Sequence, residues 1–164
     1  MGKTKKDDKK SDVGKRIAEN RKARHNFFIE EEIEAGIMLT GTEVKSLRAG
    51  EANITDAYAE VKDSEVFLIN SYIKEYEMGN RHNHVARRPR KLLLHKKQIN
   101  KLKAAIQRKG NTLVPLSIFF NHKNKVKVNL GLAKGKKLHD KRATEKARDW
   151  NREKGRVLKG NLQD

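Results

Sequence analysis

Two groups of residues have the types that chemistry needs. Six histidines, His25, His82, His84, His95, His122 and His139, are scattered along the chain, and Glu30, Glu31, Glu32 and Glu34 crowd together near its first third. A general base or a metal ligand works only with partners, a second histidine or a carboxylate brought to the same point. No Asp or Glu lies between Glu77 and Asp140, so His82-Asn83-His84 has no carboxylate with which to share a hard cation. Each histidine is expected on the surface or against RNA. Alternation along the acidic stretch puts Glu30, Glu32 and Glu34 on one solvated strand face. The chain has no Cys, which excludes thiolate nucleophiles, cysteine metal sites and disulfides. Gly131 to Gly135 match no phosphate-binding loop. The expectation is therefore a protein with no catalytic residue, no metal ligand and no cofactor.

What remains is charge. The chain of 164 residues carries 39 Lys and Arg against 21 Asp and Glu, a net of +18, and a surplus of this size points to polyanions. Residues 1–24 hold 10 basic and 4 acidic side chains, and residues 134–164 hold 11 and 5. The acid-free stretch after Glu77 holds 17 Lys and Arg, the footprint expected of a surface that follows a phosphate backbone. Of the nine aromatics, five fall in runs expected to be core, which leaves no platform for stacking bases in the pattern. A folded RNA, recognised by backbone, shape and 2′-hydroxyl groups, is the expected ligand. A Glu inside such a face is informative, because it repels phosphate unless it accepts bonds from base N–H or ribose O–H groups. No apolar run approaches the ~18 residues of a membrane span, and the lysine-rich start resembles neither a signal peptide nor a myristoylation site. A cytoplasmic location is expected, with no membrane partner.

The elements that must hold these residues follow from periodicity. Odd positions from Phe27 to Leu39 are mostly apolar, a half-buried strand. Thr40 and Glu43 form a capping-box pattern that starts a short helix, with Val44 and Leu47 inward and Gly50 at its end. Residues 57–61 and 65–73 read as a hairpin around Lys62-Asp63-Ser64. Residues 78–91 show no period and read as a basic loop. Ile99, Leu102 and Ile106 mark a helix from Lys96 to Lys109, stopped by Gly110. Val114, Leu116, Ile118 and Phe120 alternate, as do Val126, Val128, Leu130 and Leu132, and Asn121 to Asn124 join the two strands. Pro115 is expected at an edge or as a first residue. This order predicts a mainly β fold with helices, an antiparallel barrel of the oligonucleotide-binding type. Residues 1–19 are expected to be a disordered basic arm, 20–133 the RNA-binding barrel, and 134–164 a tail disordered in the free protein. In that tail Ala143, Ala147 and Trp150 share a helical face, and opposite charges three residues apart contribute only ~0.2–0.5 kcal/mol each, too little to hold a lone helix.

Five blocks are more specific. NRKARHNFF at 20–28, IEAGI at 33–37, GTEVKSLRAGEANITDAY at 41–58, RKLLLHKKQI at 90–99 and GLAKGKKLHDKR at 131–142 resemble, in the same order, the small protein B (SmpB) family. That family is the transfer-messenger RNA (tmRNA) partner in bacterial trans-translation. The resemblance implies RNA binding without catalysis, through contacts to the tRNA-like domain of tmRNA by Asn20, Arg21, Lys22, Arg24, Glu34, Lys45, Ser46, Arg48, Arg90, Lys91, Leu93 and His95. It also implies a tail that enters the ribosomal decoding centre and messenger channel, carried by Gly135, Lys136, Lys137, His139, Asp140, Lys141, Arg142 and Trp150. The chain is expected to be a monomer when free, and its tail to become helical on the ribosome. A structural ribosomal protein with basic arms is the alternative of a different class, and an RNA-processing enzyme a third that lacks its constellation.

Overall fold

The computed structural model describes residues 13–160. In chain order the elements are β1 (Val13–Glu19), α1 (Ala23–Asn26), β2 (Phe27–Ile37), α2 (Gly41–Arg48), β3 (Ala52–Asn53), β4 (Tyr58–Lys62), β5 (Glu65–Ile69), β6 (Tyr72–Ile73), β7 (Arg90–Leu93), α3 (Lys96–Lys109), β8 (Thr112–Asn121), β9 (Val126–Gly135) and α4 (Leu138–Gly160). Seven strands pair antiparallel in the order β1-β8-β4-β5-β7-β2-β9, and β9 pairs back onto β8, so the hydrogen bonding closes into a ring. β3 and β6 form a separate two-stranded sheet. Ring closure leaves fewer open strand edges.

Local chemistry explains most boundaries. The β4–β5 hairpin turns on Asp63 (φ 49°) and Ser64 (φ 62°), the two left-handed positions of the tight turn that matches strand twist. Gly110, at φ 62°, ends α3 in the left-handed conformation. Inside the ring, Leu102 of α3 is fully buried with Val66, Leu68, Leu92, Leu113, Ile118 and Leu130. Replacing Leu102 by Ala removes that anchor, at a cost of about 2–5 kcal/mol.

Several expectations need correction. Val13 to Glu19, assigned to a disordered arm, form strand β1 on β8, with Arg16 opposite Phe119 and Ala18 opposite Ile118. Ile17 and Ala18 pack on the main core. A Cβ on Gly14 would lie 2.0 Å from the Phe120 carbonyl oxygen, so only glycine allows the strands to approach so closely there. The rest of that arm, residues 1–12, lies outside the described residues. Pro115 stands inside β8, not at its start, at a register shift between Pro115 and Ser117, the one interior position a proline tolerates. That bulge also defeats simple alternation: Leu113 and Ile118 face the main core, whereas Val114 and Leu116 join Ala23, Phe27, Ile29 and Ala133 in a second cluster. Residues 134–135 extend β9, and residues 138–160 form one continuous helix with no buried residue. Its first turns are held by the body, as described below.

Candidate nucleic-acid interface

A groove of about 810 Å³ runs across β1, β8, β9 and β2, with Leu116, Ser117 and Phe119 of β8 in its lining. The end of β1 and the turn after it supply Arg16, Glu19, Asn20 and Arg21, α1 supplies Arg24, β2 supplies Glu32 and Glu34, and β9 supplies Asn129. Asn20 is anchored rather than displayed: its backbone N–H donates to Leu116 O at 2.8 Å and its amide to Pro115 O at 3.2 Å. Arg24 pairs with Glu32, whose other oxygen accepts from the Asn129 amide at 2.9 Å. The Asn129 hydrogen bond, then that from Arg24, hold the Glu32 carboxyl below its ordinary pKa. Glu19 likewise faces Arg16 at 3.2 Å and Arg21 at 3.8 Å. Glu34 is exposed and forms no ion pair among the described residues. Its two oxygens accept no hydrogen bond among the described residues, while Arg16, Arg21 and Arg24 around it are paired with Glu19 and Glu32.

The strand register extends this face. Leu93 of β7 lies opposite Gly36 of β2, two residues from Glu34 and on the same side of the sheet. Leu93 is 50% exposed, whereas its neighbour Leu92 is buried. Lys91 pairs with Glu65 at 2.8 Å. His95 is exposed at the start of α3, where its backbone N–H donates to Gln98 Oε1 at 3.1 Å. Lys22 is exposed beside the groove without lining it.

Besides Asn20, which is buried, two further expected contact residues are withdrawn by the fold. Arg90 is fully buried: its Nε donates to Glu43 Oε1 at 3.1 Å, Nη1 to Ser71 O and Oγ, both at 2.8 Å, and Nη2 to Ala86 O at 3.0 Å. All its donors point inward, so it cannot reach phosphate. Ser46 is buried on the inner face of α2. Glu43, also fully buried, accepts from Arg88 Nη2 at 2.8 Å and from the Thr40 N–H at 3.1 Å. Burial raises its pKa, but the Arg88 hydrogen bond and the Arg90 charge, with Thr40, outweigh that and hold it low. Lys45 and Arg48 do project from α2. Arg48 lines a different cleft, with Lys15 and His122, so the sequence candidates occupy separate surfaces. His84 also departs from expectation. It is buried, with Nε2 donating to Ile73 O at 3.0 Å and Nδ1 bonded to Thr42 Oγ1 at 2.9 Å.

The tail residues begin where β9 ends. Gly135 pairs with Phe27. The Lys136 N–H donates to Asn26 O at 2.9 Å, and its Nζ donates to Arg24 O at 2.9 Å and Thr144 Oγ1 at 3.1 Å. The same ammonium lies 4.9 Å over the Phe28 ring. His25 Nε2 meets Glu145 Oε1 at 2.8 Å, a second tie between body and helix. Lys137, His139, Arg142 and Trp150 are exposed, while Asp140 and Lys141 are half-buried. Arg148 and Arg152 also line the groove. Sequence reasoning missed them, although their spacing of four places both on one helix face. Among the described residues no group of three or more His, Cys, Asp or Glu side chains is placed to hold a metal ion, and no helix is long and apolar enough to cross a membrane.

Comparison with known proteins joins these features to a family. A family model described as SmpB protein matches residues 17–160. The chain is 62% identical over 143 residues to an SsrA-binding protein of Rhodopseudomonas palustris (strain BisB18), covering 87% of this chain and 91% of that one. It is 62% identical over 148 residues to an SsrA-binding protein of Sphingomonas elodea, covering 90% and 92%. Among solved structures, one described as "tmRNA-SmpB: a journey to the center of the bacterial ribosome" superposes with a TM-score of 0.61 at 53% identity, over 73% of this chain and 84% of that one.

Proposed function

Because the chain belongs to the SmpB protein family, we propose that it is a tmRNA-binding adaptor of trans-translation, an RNA-binding protein without an enzymatic step of its own. It binds the tRNA-like domain of tmRNA and brings it to stalled ribosomes, so that the nascent chain is tagged and the ribosome released. The closed antiparallel ring serves as a barrel of the oligonucleotide-binding type, and the protein acts as a monomer in the cytoplasm.

The observation that carries this reading is the groove that Arg21 and Arg24 line together with an unpaired Glu34. Cations at its rim attract the phosphate backbone, and the lone carboxylate selects base or ribose donors over phosphate. Leu93, Lys91 and His95 extend the contact along the sheet. Lys45 and Arg48 add a second cationic surface. The tail carries the other half of the work: Gly135, Lys136, Lys137, His139, Asp140, Lys141 and Arg142 lead α4 into the decoding centre and the empty messenger channel. Its basic side chains meet ribosomal phosphate there, and Trp150, exposed on the free molecule, is an anchor for it. The test pairs a gel-shift titration with transcribed tRNA-like-domain RNA and a tagging assay on ribosomes stalled at a message end. Tight binding of that RNA over bulk ribosomal RNA, with tagging that needs the tail, supports the adaptor. A preference for ribosomal RNA would favour a structural ribosomal protein.

A further inference from the structure

The basic loop between β6 and β7 has no period in sequence, yet it is stitched to α2 at three places. His84 bonds Thr42, Arg88 pairs with Glu43, and Lys45 Nζ sits 5.2 Å from the Tyr76 ring centroid. The loop also ties itself together: the Tyr76 N–H donates to Asn83 Oδ1 at 3.1 Å, and Asn83 Nδ2 donates to Tyr76 O at 2.7 Å. This holds a cleft of about 540 Å³ lined by Tyr72, Tyr76, Asn80, Glu75 and the Lys74–Glu77 pair at 3.6 Å, within the ~300–1,000 Å³ of small-molecule sites. Both tyrosines are half-buried. Each ring already has a cation on one face, Lys45 for Tyr76 and Arg87 at 5.4 Å for Tyr72.

That arrangement suits a flat, electron-rich partner with polar edges. Two half-buried aromatic rings offer stacking surface, and a guanidinium or ammonium over each reinforces it. Asn80 is exposed, with no side-chain hydrogen bond among the described residues, and offers one donor group and one acceptor. Glu75 and Glu77 disfavour phosphate in the cleft, and Glu75, which forms no ion pair among the described residues, accepts N–H groups. We propose that this cleft binds an unpaired RNA base, stacked on Tyr72 or Tyr76, the aromatic site that the sequence pattern does not display. The inference rests on the RNA-binding reading above and adds to it a base-specific contact away from the groove.

The experiment uses the full chain with Tyr72→Leu and Tyr76→Leu together, compared with Tyr72→Phe and Tyr76→Phe. Binding is read by fluorescence anisotropy across a salt series, once with tRNA-like-domain RNA and once with small ribosomal subunits. Stacking predicts that the leucine pair weakens one of these by about 5- to 100-fold at fixed salt. The slope of log affinity against log salt should stay unchanged, because no phosphate contact is lost, and the phenylalanine pair should bind as wild type within about twofold. Loss on the tRNA-like RNA assigns the base to that molecule, and loss confined to the subunit assigns it to ribosomal RNA. If the leucine pair does not fold, Tyr72→Leu alone and quenching of 2-aminopurine placed at unpaired positions of the wild-type ligand decide the matter. Unaltered affinity for both ligands, or no quenching at any unpaired position, overturns the cleft alone. A wild-type chain that binds neither RNA overturns the adaptor reading and this inference together.

Discussion

Replacing Glu43 by Gln keeps the shape of a buried side chain and removes its charge. In the wild type the carboxylate accepts from Thr40, Arg88 and Arg90, and neither Glu43 nor Arg90 has any solvent contact. The substitution leaves the Arg90 guanidinium buried without a counter-charge, facing only neutral oxygens: the new amide oxygen and those of Ser71 and Ala86. Removing one partner of a buried pair costs about 3–5 kcal/mol, a large part of the ~5–15 kcal/mol that holds a domain together. At about 2–4 °C per kcal/mol for a chain near this size, Tm should fall by roughly 6–20 °C. Thermal unfolding of the full chain at neutral pH, followed by circular dichroism, reads this directly. Replacing Arg90 by Met as well should cost less than the two single changes added, since no charge is then left unpaired. The pH dependence has a definite sign. Because the folded pKa of Glu43 is lowered, its stabilisation is complete above the unfolded value and is lost as pH falls through the folded one. The gap between wild type and the Gln variant should therefore narrow below about pH 4. A drop in Tm of less than about 2 °C at neutral pH, or strict additivity of the double change, would show that the pair contributes little beyond its volume.

Glu34→Arg should weaken binding of the tRNA-like RNA although it raises the net charge by two; equal or tighter binding in a gel shift at fixed salt would mean the groove is purely electrostatic. Lys45→Gln and Arg48→Gln should each flatten the log–log salt slope by about 0.7–0.9 if each meets one phosphate, whereas Arg90→Gln should lower Tm and leave the slope alone. Ending the chain after Lys137 keeps all of β9 and the Lys136 contacts with α1, and α4 buries no residue. Tm and RNA affinity should stay close to wild type while tagging on stalled ribosomes is lost, and a melted body or surviving tagging would each contradict the division of labour. Replacing Asp140, Lys141 and Arg142 with Ala in the full chain should reproduce much of the tagging defect, checked in the same assay.

Local rules sufficed for much of the chain. Helix α3 runs over Lys96–Lys109 and stops at Gly110, because its apolar stripe and a residue free to take positive φ are both written in adjacent positions. The hairpin at Asp63-Ser64 is local for the same reason. The net charge of +18 and the order of the five family blocks likewise need no coordinates, and they are enough to identify the family. What only the tertiary structure decided is which charges are spent inside. Arg87, Arg88 and Arg90 are near neighbours in one basic run, yet Arg90 is consumed by Glu43, which stands 47 residues earlier, while Arg87 lies over Tyr72. Pairing across such a separation depends on how α2 and the loop meet the ring, and no window of sequence contains both partners. Strand β1 shows the same limit. Its charged, glycine-bearing sequence has weak propensity and gains its place only because β8 offers an edge and the core accepts Ile17 and Ala18. The bulge at Pro115 shifts the inward phase of β8, so alternation read along the strand assigns the wrong face beyond it. Burial and ion pairing are properties of contacts made at a distance, and those contacts exist only once the chain has closed on itself.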